Sequence, residues 1–413
     1  MRRGLFIACL VFGLTAFIHA TASAQGGRIS MGKLKIIPSL GLDEVYDSNI
    51  YLKSGSDDAA NAKVSDWIFH ITPGMLFDYT LEGRGSIKLG YRGDWAFYSE
   101  NSQNDWNDQE GWLDFDYKAP GGLILGLKNL YANLSDPYGA ANQFGLGAPQ
   151  TKRWYDDLGA KVGYNFADRY RVFAYYDYYI QKYKLESDST QNWKNNVFGG
   201  GFEMHVAPKT WGFVRLFYGD RKYFDQAAST GVTDQNNGDF TFWESDVGLT
   251  WDSGAKFSGE VSFGYYWRNY DNEFDSQGNQ FDDVNTWVAA TRINYFATST
   301  TTISLDLIRA LRDTGSNTNQ YYTDTGIALG LAQVFLRRFT LSLKGAYARY
   351  DYNVPSDPDM VEDNYLASVG LDYRILEWLT AGVAYTYLRQ TCDNYPDNEY
   401  TDNRFIISLR AVY

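Results

Sequence analysis

The sequence predicts an all-β fold: a transmembrane antiparallel up-and-down β-barrel of about 18 strands, within a range of roughly 16 to 20. Three observations support this fold class. Apolar and polar residues alternate along the chain, the connections between the alternating segments are by turns short and long, and the chain ends in an amphipathic segment. The composition agrees, since 17% of the residues are aromatic and 39 glycines accompany 9 prolines.

The N-terminal segment indicates export. Arg2 and Arg3 precede an apolar run from Leu5 to Phe17, and the small residues Ala22–Ala24 provide a cleavage site before Gln25. The run is shorter than the roughly 20 residues that a membrane-spanning helix needs, so it fits a signal peptide. The predicted division of the chain is a signal peptide at 1–24, a short periplasmic segment at 25–33 and an outer-membrane β-barrel at 34–413.

The alternation has a period of two, which places successive side chains on opposite faces of a strand. Leu89 and Tyr91 share one face of their segment, while Lys88 and Arg92 share the other. Residues 260–268 repeat this division, as do later segments of the chain. One strand therefore follows another with no helical pattern between them.

The connections form two sets. Short connections and long acidic connections alternate, which is the pattern of outer-membrane barrels with short periplasmic turns and longer outer loops. The short set covers 82–85, 120–122, 167–169, 207–209, 253–255, 297–299, 336–338 and 376–378, and the long set covers 52–65, 135–153, 225–239, 271–283, 353–363 and 392–401. We expect both ends of the barrel chain on the periplasmic side.

The last segment carries an apolar face that ends on a terminal aromatic residue. Polar residues alternate with this face, which resembles the closing-strand signal read by the barrel assembly machinery, although tyrosine replaces the commoner phenylalanine. The face consists of Phe405, Ile407, Leu409, Ala411 and Tyr413. We expect that machinery as a partner, with outer-membrane lipid and lipopolysaccharide around the folded barrel.

A soluble β-sandwich is the alternative architecture, and the position of the tryptophans argues against it. They cluster near segment ends, as the aromatic girdles of membrane barrels do at the two lipid–water interfaces. The tryptophans assigned to these girdles are Trp67, Trp95, Trp154, Trp211, Trp251, Trp287 and Trp378.

The strand pattern assigns charged residues to the lumen, where a channel would exert its selectivity. The predicted inward residues are Lys88, Arg92, Lys161, Arg171, Arg215, Arg268, Arg292, Lys344, Arg374 and Arg410, with Asp94, Asp114, Asp116, Asp177, Glu244, Asp246, Glu260, Asp306 and Asp372. Both signs are present, so the charges predict either a bracing network or an ion-selective lining. Inward Tyr175, Tyr179 and Tyr266 are candidates for stacking on sugar rings.

Several function classes are disfavoured. The formal net charge of −13 argues against a nucleic-acid partner, because phosphate binding needs clustered lysine and arginine. No histidine or cysteine cluster predicts a metal or a cofactor. Beyond His19 the histidines are His70 and His205, and His70 leaves a barrel-embedded hydrolase as a remote alternative. We expect no enzymatic activity.

Four segments carry a family resemblance: Ile37–Leu40, Glu44–Tyr51, Ile71–Gly74 and Leu89–Arg92. They resemble the outer-membrane β-barrel porins encoded in exopolysaccharide and capsule loci, and the resemblance extends over nearly the whole mature chain. It implies an outer-membrane conduit for exopolysaccharide or capsular polysaccharide, working with a periplasmic export protein. The alternative is a general diffusion porin for small solutes.

Overall fold

The structure is a computed structural model that describes residues 29–55, 61–136, 150–225, 237–251, 254, 256–275, 278–313, 321–353 and 360–413. The predicted signal peptide at 1–24 lies outside the described residues, as does the beginning of the predicted periplasmic segment. Within the described ranges, no helix is both long and apolar enough to cross a membrane.

The described residues form 19 strands and three short 3₁₀ helices. The helices cover Ser102–Asn104, Glu186–Gln191 and Pro396–Asn398. The strands are Ile29–Met31 (β1), Leu34–Asp47 (β2), Asp66–Thr80 (β3), Gly85–Tyr98 (β4), Trp106–Lys118 (β5), Leu123–Asp136 (β6), Thr151–Phe166 (β7), Tyr170–Tyr183 (β8), Trp193–Ala207 (β9), Thr210–Tyr223 (β10), Phe240–Trp251 (β11), Phe257–Tyr270 (β12), Val284–Phe296 (β13), Thr301–Asp313 (β14), Tyr321–Phe335 (β15), Phe339–Asn353 (β16), Val361–Leu376 (β17), Leu379–Cys392 (β18) and Tyr400–Val412 (β19).

Strands β2 to β19 close into a barrel. Each strand is antiparallel to the next, and β19 pairs back onto β2 from Arg404 opposite Asp47 to Val412 opposite Ser39. The predicted all-β fold and the predicted count of about 18 strands are therefore confirmed. Closure gives the backbone amides of the first and last strands a hydrogen-bonding partner, which an open sheet in lipid would not provide.

Strand β1 lies outside this ring of 18. Ile29–Met31 pairs with the first residues of β2, below the point where the pairing between β2 and β19 ends. Lys33, in the turn between β1 and β2, donates a hydrogen bond of 2.6 Å to the carboxylate of Glu82. This hydrogen bond raises the pKa of Lys33 and lowers the pKa of Glu82. The segment just before the barrel is thus attached to a neighbouring turn.

The connections alternate in length as the sequence predicts. Those at 81–84, 119–122 and 208–209 are short, whereas those at 48–65 and 271–283 are long. We call the two ends of the barrel the short-turn end and the long-loop end. The first residue of β2, Leu34, and the last residue of β19, Val412, both lie at the short-turn end.

A polar cluster fastens the closing seam at the long-loop end. Arg404 Nε lies 3.0 Å from a carboxylate oxygen of Asp47 and 2.7 Å from one of Asp402. Asn49, which is fully buried, donates to the carbonyl oxygens of Lys53 at 2.8 Å and Thr401 at 3.1 Å. The cluster therefore joins the end of the first barrel strand to the start of the last one.

We expect Asn49→Ala to destabilise the barrel by about 1 to 3 kcal/mol, because the substitution leaves partly buried carbonyl groups of Lys53 and Thr401 without their hydrogen-bonding partner. The measurement is urea unfolding of the refolded protein in phospholipid vesicles. Asn107→Ala provides the control, since Asn107 is an exposed residue near the long-loop end of β5. Equal unfolding midpoints for the two variants would contradict a role for Asn49 in the seam.

Candidate functional site in the barrel lumen

Strand register and exposure define the two faces of the wall. On β16, Leu343 is 41% exposed on the apolar outer surface, while the next residue, Lys344, points the other way, opposite Gly330 and Ser368. By the same register, the charged residues assigned to the lumen from the sequence lie on the face opposite the exposed apolar residues. Their part in transport stays a prediction.

Many inward charges form ion pairs between strands. Arg92 lies 2.7 Å from Glu110 on the adjacent strand, and Arg292 lies 2.8 Å from Asp306. Lys161 reaches across a whole strand to Asp116, at 3.3 Å, over Gly126. A Cβ atom at Gly126 would lie 2.5 Å from Cε of Lys161, so only glycine leaves this path open. Both signs of charge therefore meet in each of these rows of the wall.

Strands β8 to β12 carry a buried arginine network. Arg215 binds Glu260 with two hydrogen bonds, of 2.8 and 3.0 Å, and its guanidinium also lies 3.6 Å from Glu203. The same guanidinium stacks over Phe213, 3.7 Å from the ring centre. Two charged hydrogen bonds to Glu260, an ion pair with Glu203 and a cation–π contact fix this side chain against the wall.

Glycines in β9 make room for this network. A Cβ atom at Gly199 would lie 2.3 Å from the ring of Phe217, and one at Gly201 would lie 3.0 Å from the ring of Tyr175. Both glycines face the lumen, where they stand opposite Phe217 and Arg215 on the neighbouring strand. On this part of the inner wall, aromatic rings therefore lie against the glycines of β9.

The structure corrects the assignment of Trp211 to an interfacial girdle. Trp211 is 4% exposed and faces the lumen, where Arg171 stacks 3.4 Å above its ring. The outer surface of β10 is instead formed by residues such as Val214 and Leu216. Whether a strand residue faces lipid or the lumen depends on the alternation of side chains along the strand and not on how close the residue is to the strand end. Trp287 is 45% exposed on the outside, as a girdle residue is expected to be.

Two of the three tyrosines proposed to stack on sugar rings lie in the wall. Tyr175 and Tyr266 are 8% and 9% exposed, and both pack against neighbouring phenylalanines, Phe217 and Phe242 respectively. Tyr179 stacks between Tyr155 and Trp193 instead. Their ring faces are used by other side chains, which disfavours the predicted glycan slide.

The long-loop half of the lumen contains a departure from a regular barrel. The ladder between β13 and β14 joins Ala289 to Arg309 and extends no farther toward this end among the described residues, although β12 and β13 stay paired up to Val284. Beyond the ladder, Leu311 of β14 packs against an inward cluster formed by Phe240, Phe242, Tyr266 and Val288. The end of β14 therefore bends into the lumen.

Asp313, the last residue of β14, fixes this bend. Its carboxylate lies 2.6 Å from Nη1 of Arg268 on β12, and its other oxygen contacts Arg221 on β10. Arg268 also stacks over Phe240 at 3.9 Å, and Arg221 stacks over Trp193 at 3.8 Å. The contact from β14 to β10 narrows the passage at the long-loop end.

Arg221 and Asp313 were absent from the residues predicted from the sequence. Arg215 and Arg221 are separated by an even number of residues on β10, so the period of two places both on the same face of the strand. The sequence pattern could therefore have identified Arg221. The same reasoning could not have identified Asp313, because the period of two along β14 places Asp313 on the lipid-facing side with Ile303. Only the bend brings it into the lumen.

His70 offers limited chemistry. Its Nδ1 lies 3.0 Å from the carboxylate of Asp94, and its ring meets Trp106 edge-on. Across the described part of the chain, no serine or cysteine hydrogen-bonds to His70, and no group of three or more histidine, cysteine or acidic residues could hold a metal ion. The arrangement is a histidine–carboxylate pair in a polar wall.

We expect Arg215→Gln to destabilise the barrel by about 3 to 5 kcal/mol, because in a mostly buried site Glu260 would lose its guanidinium partner and Glu203 would keep only Arg171. Arg92→Gln is the matched control, since the side chain of Arg92 is 51% exposed and its pairing with Glu110 should contribute no more than about 1 kcal/mol. Urea unfolding in vesicles measures both. Similar losses in the two variants would refute the network's importance.

No curated protein matches the sequence. OccAB4 of Acinetobacter baumannii has a similar structure, with 10% identity over 95% of this chain and 100% of its own and a TM-score of 0.46. OccK2 (OpdF) of Pseudomonas aeruginosa gives 10% identity over 91% and 98%, with a TM-score of 0.47. The family model described as "Putative beta-barrel porin 2" matches residues 23–413. The chain belongs to this family and is an outer-membrane β-barrel porin.

Proposed function

We propose that the barrel is a passive diffusion channel for small polar solutes. The observation that carries this proposal is the bend of β14, whose residues Leu311 and Asp313 contact inward side chains of β10 to β12. A bore occupied on one side by such contacts suits small molecules better than a polymer chain. An 18-stranded barrel is otherwise wide enough to hold an aqueous channel.

The charge pattern of the lumen supports the same function. Arg92 pairs with Glu110 and Arg292 pairs with Asp306, so charges on these neighbouring strands neutralise each other. Rings of one sign would favour strong ion selectivity, whereas a paired lining should admit neutral and charged polar solutes. We propose no catalytic role, because His70 and Asp94 form a pair without a nucleophile hydrogen-bonded to it in the described residues.

The polysaccharide conduit implied by the family resemblance is the competing function. Tyr175 and Tyr266, which were candidates for contact with sugar rings, are packed within the wall. The periplasmic export partner expected with such a conduit would be needed only if a polymer crosses the barrel. We therefore favour the small-solute channel and treat polymer passage as the contrary outcome of the test.

The first experiment measures permeation directly. Liposomes containing the purified barrel should swell in arabinose and glucose, and the rate should fall by about tenfold or more toward the trisaccharide raffinose, because a narrow polar bore excludes larger solutes. Release of a trapped dextran from the same liposomes would instead support a polymer conduit. Equal rates for all sugars would also contradict the proposed narrowing.

A second experiment tests whether β14 forms the narrow part. Leu311→Ala removes contacts with the inward cluster, so we expect the raffinose rate to rise relative to the arabinose rate. Ile303→Ala is the control, since Ile303 lies on the same strand but is 39% exposed on the outer surface. If both substitutions leave the ratio of the two rates unchanged, the bend of β14 does not determine the size limit.

A further inference from the structure

We propose that Arg221 and Arg268 form a binding site for the carboxylate group of a small solute, in which Asp313 acts as the resident counterion. The proposal deepens the proposed channel function, on which it rests, by naming a class of solute. A carboxylate-bearing solute would compete with Asp313 for the two guanidinium groups on its way through the long-loop end of the lumen.

The geometry is that of two cations converging on one carboxylate. Nη1 of Arg268 lies 2.6 Å from Oδ1 of Asp313, and Nη1 of Arg221 contacts Oδ2. Each carboxylate oxygen thus has its own arginine. The side chains of Arg268, Arg221 and Asp313 are 2%, 13% and 15% exposed, so water screens the three charges weakly.

The balance of charge at this site differs from that elsewhere in the lumen. Arg171 and Arg215 are matched by two carboxylates, Glu203 and Glu260, and Arg404 has both Asp47 and Asp402. Here two arginines share one carboxylate, and no other carboxylate of the described residues lies within ion-pair distance of either arginine. The site keeps a net positive charge that a second carboxylate would neutralise.

Aromatic rings hold the two guanidinium groups and shape the surroundings. Arg268 lies flat over Phe240 at 3.9 Å, and Arg221 lies flat over Trp193 at 3.8 Å. Stacking on a ring leaves the N–H edges of a guanidinium free to meet a carboxylate in the same plane. Leu311, together with the inward cluster of β11 to β13, adds apolar surface beside the charges. These surroundings favour a carboxylate attached to an apolar or aromatic body.

Asp313 is also positioned to exchange with such a solute. It ends a strand whose pairing with β13 has already stopped at Arg309, whereas its pairing with β15 continues to Tyr321. The arginines stand on β10 and β12, which are fully paired with β11 at this level. Asp313 therefore lies at the end of a strand, where that strand is paired on one side only, whereas Arg221 and Arg268 lie on strands that are paired on both sides.

The test is calorimetric titration of the folded barrel in detergent with sodium benzoate, using neutral benzamide of the same shape as the control ligand. Asp313→Ala vacates the position of the carboxylate, so we expect this variant to bind benzoate about tenfold or more tightly than the wild type does, with no gain for benzamide. Adding Arg268→Gln to that variant should remove the gain.

Asp306→Ala is the matched control variant, because it vacates a carboxylate that faces a single arginine, Arg292. An equal gain in benzoate binding by that variant, or no gain by Asp313→Ala, would overturn the proposed site. If Asp313→Ala does not fold, Asp313→Ser keeps a hydrogen-bonding group and still opens most of the position. Sugar swelling of the same preparations separates the two proposals, since failure of permeation refutes the channel while benzoate binding still decides the site.

Discussion

The requirement that backbone amides be satisfied inside lipid governs the rest of this structure. A bilayer core offers no water to unpaired N–H and C=O groups, so the first and last strands must find each other. The pairing of β19 with β2 meets that requirement, and the cluster of Asp47, Asn49, Asp402 and Arg404 holds the two strands together at their long-loop end. The two-sided wall follows from closure, since each strand then has one face in lipid and one in the lumen.

The same constraint explains why so much of the fold was predictable from the sequence. Lipid selects apolar residues at every second position of a spanning strand, as with Leu343 beside Lys344. Repetition of this period over many segments yields the number of strands, and the alternation of short and long connections yields their arrangement. The family resemblance acts through similar features. Its segment Glu44–Tyr51 contains Asn49, whose hydrogen bonds hold the seam, so it identifies the architecture and says little about the solute.

The lumen was harder to predict because its key contacts depend on three-dimensional relations that period and spacing do not encode. The phase of β14 places Leu311 and Asp313 toward lipid, yet the strand leaves β13 and brings both into the lumen. Trp211 was misassigned for a simpler reason, because its position near a strand end was given more weight than its phase. Identifying the partners of Arg215 required the register of the four strands β9 to β12, which no single segment contains.

The ion pairs of the wall bear on how the strands find their correct partners. A slip of one residue between adjacent strands would expose polar side chains to lipid, so the bilayer itself excludes that error. A slip of two residues preserves the alternation, and lipid cannot detect it. It would, however, move Arg292 away from Asp306 and place Ser304 or Ile308 opposite the guanidinium. The ion pairs of the lumen therefore favour the native register over a slip of two residues, a distinction that the alternation of apolar and polar residues does not make.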